Sequence, residues 1–216
     1  MKAFIDDLTD EEAASVVAGM KEIAERGLAA AKHLRGDIYE VRADASTRSF
    51  RVLFSTEGRY SQVLLSLSAF EKRTQKTPPR ELDLAEGRLR DWRTSGARGK
   101  RWPERALWLF RYGGDAMART RHTEIMAKDF LAEIVNERTR QNPEFPGLVA
   151  EAETRRKLAR KLARLRERKA LSQTVVAARM GTAASVVSKL EAGGDVKLST
   201  LQRYFAAIGE KFAVAV

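Results

Sequence analysis

The sequence predicts an α+β fold: a small antiparallel sheet with packed helices, followed by an all-α domain. Three observations carry this. Ile38–Arg42, Phe50–Phe54 and Gln62–Leu67 are short β-rich runs separated by the turn-prone Asp44-Ala45-Ser46 and Glu57-Gly58. From Phe130 onward, helical periodicity punctuated by glycine dominates. Finally, the charge divides unevenly: residues 1–116 hold 21 Lys+Arg against 18 Asp+Glu, while residues 117–216 hold 19 against 11. The two halves are electrostatically different objects.

The elements follow in order. Thr9-Asp-Glu-Glu12 is a capping box, in which Thr9 caps a helix whose third residue is Glu12. Val16, Val17, Met20, Ile23 and Ala24 form its apolar stripe and Gly27 ends it. Leu28 opens a second short helical stretch that reaches Leu34 and stops at Gly36. The three β-rich runs then make an antiparallel meander. Pro78-Pro79 opens a helix from Glu81 to about Trp92, and Arg98–Arg101 breaks the pattern. Trp102–Tyr112 is aromatic-rich and reads as neither type. Gly113-Gly114 is the best boundary between the halves. A helix carrying Ile134 and Val135 starts at Phe130 and ends at Asn142–Gly147; a long one spans Val149 to Lys169. Ser172 caps a helix from Gln173, with Val176, Ala177 and Met180 on its inner face. Gly181 supplies a left-handed turn before a helix that ends near Glu191, with Val187 and Leu190 pointing inward. Leu198–Gly209 adds one more helix, and Phe212–Val216 a short terminal strand.

Composition bounds the chemistry. At 216 residues, 44% of them hydrophobic, the chain suffices for one large or two small domains. A net charge of +11 points to a polyanionic partner. Cysteine is absent and His33 and His122 are the only histidines, which argues against a zinc site or a Ser-His-Asp triad; no metal or cofactor is expected. No apolar run reaches the roughly 18 residues that span a bilayer, and no signal-peptide core is evident, so a cytoplasmic location is expected.

The C-terminal pattern contains Leu-Ser-Gln, Ala-x-x-Met-Gly, Ser-Lys-Leu-Glu-x-Gly and Ser-Thr-Leu-x-Arg-Tyr in order. Over residues 155–212 it resembles the helix-turn-helix domain of Xre/Cro-type repressors, and more narrowly the HigA-like antitoxins. That resemblance implies operator DNA as partner, with Gln173, Ala184, Ser185, Val186, Ser188 and Lys189 facing the duplex, and a homodimer reading two half-sites. Ala183 and Ala184 stand where the family has a capping Ser and a polar base reader, so specificity would lean on Ser185, Ser188, Lys189 and the methyls of Val186. Upstream, nine cations in residues 155–169 are expected to supply some phosphate contacts.

In the other half, Ser68–Pro78 carries Phe-x-Lys-Arg-Thr-x-Lys-Thr-Pro directly after a strand and before a helix. With the other two strands, residues 4–93 resemble the RelE/HigB-like toxins, close to the phage-derived Gp49-like branch; Lys2–Ile5 stands where that family's first strand would lie. The resemblance implies a metal-independent endoribonuclease acting on mRNA at the ribosome. Arg42, Arg51, Lys72, Arg73 and Lys76 would converge on one phosphate, and Lys72 or Lys76 could act as base if neighbouring cations depress its pKa. Tyr39 and Trp92 are candidate base-stacking surfaces.

Joined, the halves suggest a toxin and its antitoxin in one polypeptide: toxin domain 1–112, linker 113–122, helical connector 123–154 and DNA-binding domain 155–216. Removing residues 117–216 should then unleash the toxin. A rival reading is a transcription regulator whose toxin-like half is inactive and serves as an interaction module; a ParE-like gyrase inhibitor is a third, since that family shares the fold.

Overall fold

The computed structural model describes residues 2–57, 63–73, 76–95, 108–111 and 130–212. The Arg98–Arg101 break, the Gly113-Gly114 boundary, the 113–122 linker and residues 213–216 of the expected terminal strand lie outside them.

Lys2–Asp6 forms a short helix, α1, where the resemblance expected a strand; its Ile5 is fully buried in the core. α2 (Asp10–Arg26) starts on the capping box as predicted, Thr9 Oγ1 accepting from the Glu12 amide and the Glu12 carboxylate from the Thr9 amide. Gly27, at φ 64°, ends it. The next stretch departs from expectation. One 3₁₀ turn (Gly27–Ala30) gives way to strand β1 (Lys32–Arg35), because Gly36 at φ 55° turns the chain straight back into β2 (Ile38–Asp44). A hairpin partner six residues away outcompetes a helix too short to sustain itself.

β3 (Ser49–Glu57) and β4 (Val63–Glu71) complete the expected meander, and β5 (Trp108–Arg111) joins β4. The sheet is antiparallel throughout, in the order β1-β2-β3-β4-β5. Side chains alternate between its faces. Val41, Phe50, Val52, Phe54 and Leu64 pack with Val16, Val17 and Met20 of α2. On the other face Ile38, Leu53, Leu65 and Leu67 meet Ala85 and Leu89 of α3 (Pro79–Ser95). Strand alternation puts Glu40, Arg42 and Asp44 on this α3 side.

α4 (Phe130–Gln141) and α5 (Phe145–Arg168) follow. α5 starts four residues before the predicted Val149, since Pro146 fits the first helical turn, where no amide partner is needed. Leu131 and Ile134 of α4 and Phe145 and Val149 of α5 lie in the same core as α2. The two helices therefore complete the sheet module's interior. The second half of α5 enters a separate core: Leu162 packs with Val176, Ala177, Met180, Val187, Leu190 and Tyr204. These come from α6 (Gln173–Arg179), α7 (Ala184–Glu191) and α8 (Leu198–Ala207). Ser172 caps α6 by accepting from Val175, and Gly181 turns at φ 62°, both as predicted. Among the described residues no helix is long and apolar enough to cross a membrane.

Candidate nucleic-acid sites and the joint between them

Sheet register brings part of the cationic set together. Arg42 and Arg51 are cross-strand neighbours, and the Lys72 amide donates to Ser49 O at 2.7 Å just beyond β4. Their environments differ sharply. Arg51 is 3% exposed and lies between Asp44 Oδ1 (3.3 Å) and Glu40 Oε1 (3.4 Å). Burial pushes its pKa down against the pull of those carboxylates. Arg42 keeps about a third of its side chain exposed and lies 3.7 Å from Glu40. Lys72 is half-buried, and its pKa is lowered first by burial and then by the charges of Arg51 and Arg42.

Arg73 points to solvent beside Glu71, at 3.5 Å. Lys76 is exposed, one residue before Thr77, whose hydroxyl donates to Glu40 Oε2 at 2.6 Å. Tyr39 lies on the opposite sheet face, against His33 and Phe54, and half-buried Trp92 packs on the α3 core. Sequence reasoning missed Glu40 and Asp44, the acidic half of the cluster. Among the described residues no group of His, Asp and Glu could hold a metal ion.

The helix-turn-helix residues also divide. Ala184 and Ser185 are exposed and Val186 partly so. Gln173 is half-buried and donates to Glu191 Oε2 at 2.8 Å. Glu191 also takes a two-pronged contact from Arg166 (2.6 and 2.8 Å) and the Tyr204 hydroxyl at 2.7 Å. Burial pushes the Glu191 carboxyl up, but these three donors hold it below the ordinary range; the Tyr204 hydroxyl is raised, by burial first and then by Glu191.

Ser188 and Lys189 reach across to the sheet module. Ser188 Oγ accepts from Arg42 Nη1 at 2.9 Å, and Lys189 Nζ donates to Ser46 O at 3.1 Å in the β2–β3 turn. A second contact between the modules runs through Arg156, buried at 9% exposure. It donates to Glu22 Oε2 (2.6 Å), to Arg42 O (2.6 Å) and to Ala192 O (3.5 Å). Gly193 makes room for it: a Cβ there, at φ 84°, would stand 2.8 Å from Arg156 Cγ. Glu22 also takes Arg160 (2.5 Å) and Arg26 (3.0 Å). Burial would raise its carboxyl, but the three arginines hold it low. A cleft of about 350 Å³ runs along the joint, lined by Glu22, Arg42, Arg160, Gln173 and Ser188 among others.

Of the nine cations expected to contribute phosphate contacts, Arg156 and Arg166 are thus buried and internally paired, while Arg160 and Lys169 pair with Glu22 and Glu210. Lys157, Lys161, Arg164 and Arg168 remain exposed at i, i+4, i+7 and i+11 of α5.

An antiparallel meander with a basic cluster, contacted by a helix-turn-helix in the same chain, defines a two-module protein of toxin–antitoxin type. Residues 3–90 match the family model described as phage derived protein Gp49-like (DUF891), and residues 157–209 match a helix-turn-helix domain model. A probable endoribonuclease HigB1 of Mycobacterium tuberculosis (strain CDC 1551 / Oshkosh) is 36% identical over 94 residues, which make up 43% of this chain and 73% of that protein. The antitoxin HigA1 of the same strain is 39% identical over 89 residues, 41% of this chain and 60% of that protein. The chain thus spans less than two thirds of its antitoxin relative. No solved structure matches. The chain belongs to the Gp49-like, HigB-type toxin family and carries a HigA-like helix-turn-helix antitoxin module fused behind it.

Proposed function

We propose that the sheet module is a metal-independent endoribonuclease that cuts mRNA at the ribosome, restrained by the antitoxin module, which binds operator DNA and represses transcription as a homodimer. Both activities fit a cytoplasmic protein. In this reading Arg42 and Lys72, with Arg73 and Lys76 at the rim, bind and neutralise the scissile phosphate. Arg51 holds Glu40 and Asp44 in place rather than touching RNA. A ribose 2′-OH attacks the adjacent phosphorus, its proton passes to the Lys72 amine, and the P–O5′ bond breaks; a 2′,3′-cyclic phosphate is left and the departing 5′-oxygen takes a proton from water. The lowered Lys72 pKa favours the free amine this step requires. Ala184, Ser185 and Val186, with Gln173, Ser188 and Lys189, are the duplex-facing set. The observation that supports the reading is the Arg42–Ser188 contact, which sets the recognition helix of the antitoxin module against a partly exposed arginine of the basic cluster.

The test uses the full chain expressed in cells. The unaltered protein should be harmless. Glu22→Ala, which frees Arg156 and loosens the joint, should arrest growth and cleave message, and adding Lys72→Ala should abolish both. Harmless expression of the folded Glu22→Ala chain would favour the rival reading, a DNA-binding regulator with an inactive toxin module. That rival draws on one observation: Arg51 is caged by two carboxylates, so its charge is spent inside the sheet.

A further inference from the structure

The two modules share a surface. Ser188 and Lys189 are the C-terminal pair of the duplex-facing set on α7, and both are occupied by the sheet module: Ser188 by Arg42, Lys189 by the carbonyl of Ser46. Gln173, at the start of α6, is turned onto Glu191 and lines the same cleft. Only Ala184 and Ser185, at the N-terminal end of α7, are fully open to solvent.

A B-form major groove is about 12 Å wide and a helix with its side chains is about 10–12 Å across, so the groove has room for one helix and nothing beside it. The β2–β3 turn lies within hydrogen-bond distance of Lys189. It would occupy the space a duplex needs if α7 lay fully in the groove.

We infer that operator DNA and the toxin module compete for the same side of α7, so that docking α7 into a duplex lifts Ser188 off Arg42 and opens the toxin cleft. The inference rests on the reading of α7 as the duplex-contacting helix. It gives the fused chain two exclusive states. In the closed state Arg42 is engaged by Ser188 and DNA is held weakly through the N-terminal end of α7. In the DNA-bound state the helix is committed to the duplex and Arg42 is uncovered. Linkage makes the effect reciprocal: whatever strengthens the closed joint weakens DNA binding by the same factor, and the converse holds. The hydrogen bonding at Lys189 fits, because the Ser46 carbonyl that accepts from its ammonium is the kind of acceptor a phosphate oxygen would replace.

The absence of cysteine provides a clean test. In full-length Ser46→Cys/Lys189→Cys protein, a short bismaleimide with a reducible spacer ties the turn to α7. Affinity is measured by fluorescence anisotropy on a labelled duplex taken from immediately upstream of the coding sequence. Linking should weaken binding at least about tenfold, and reducing the spacer should restore it, as for a typical coupling between sites. Conversely, saturating duplex should speed thiol labelling of the single Ser46→Cys variant. Equal affinity of the linked and reduced forms would overturn the competition while leaving DNA binding intact. Failure of both the unaltered chain and the Glu22→Ala chain to bind the duplex would overturn the operator reading itself, and the inference with it.

Discussion

Arg42 and Arg51 face each other across two strands and look interchangeable in the sequence, yet their surroundings assign them different work. Arg51 is the counter-charge that lets Glu40 and Asp44 stay buried at 4% and 6% exposure. Arg51→Ala should therefore cost about 3–5 kcal/mol in urea unfolding, because it strips buried Asp44 of its counter-charge and leaves Glu40 with only Arg42 and Thr77. Arg42→Ala, on a partly exposed residue, should cost about 1 kcal/mol or less. Equal losses would contradict the division. Lys72 carries a second prediction. Its lowered pKa means that cleavage by the Glu22→Ala chain should rise with pH through a limb lying below the ordinary lysine value of 10.5, and Lys72→Arg should remove that limb from the pH–rate profile. The basic residues were legible in the sequence because the motif after β4 announces them. Glu40 and Asp44 were not, since a carboxylate on a strand reads as solvent-facing until register sets an arginine beside it.

At the level of elements, α6 and α7 form a natural comparison. Ser172 caps α6, whereas Ala183 sits in the same extended conformation (φ −81°, ψ 149°) before α7 and offers no side-chain acceptor. Ala183→Ser should therefore stabilise the chain by about 0.5–2 kcal/mol, and Ser172→Ala should destabilise it by a similar amount, both read from the urea midpoint. These helices, like α2, were visible in the sequence because caps and glycines are local signals. β1 was not: four residues with a mostly exposed pattern carry no strand periodicity, and only the Gly36 turn and the pairing with β2 make them one. Likewise, apolar spacing alone could not show that α4 and the start of α5 finish the core of the sheet module rather than of the helices that follow.

For the whole molecule, the joint is an ionic device. Glu22 and Glu191 both titrate below the ordinary value of 4.5 despite burial, Glu22 held there by Arg156, Arg160 and Arg26 and Glu191 by Arg166, Gln173 and Tyr204. A carboxylate with a depressed folded pKa contributes stability that is full above its unfolded value and is lost as pH falls through the folded one. Thermal unfolding should thus be steady from neutrality to about pH 4.5 and should weaken steeply in more acid solution; in Glu22→Gln that acid limb should shrink. Nothing in the sequence marks Glu22 or Arg156 as partners, because they lie on helices far apart in the chain and meet only once both cores have formed. The sharing of one interior by α2, α4 and α5 reaches further still. Severing the backbone between β5 and α4 would leave the fragments interlocked through Leu131, Ile134, Phe145 and Val149, and a toxin trimmed of those helices would show a bare greasy flank to the solvent. A protease digesting inward from the helix-turn-helix half would soon be consuming helices on which the sheet module's own interior depends.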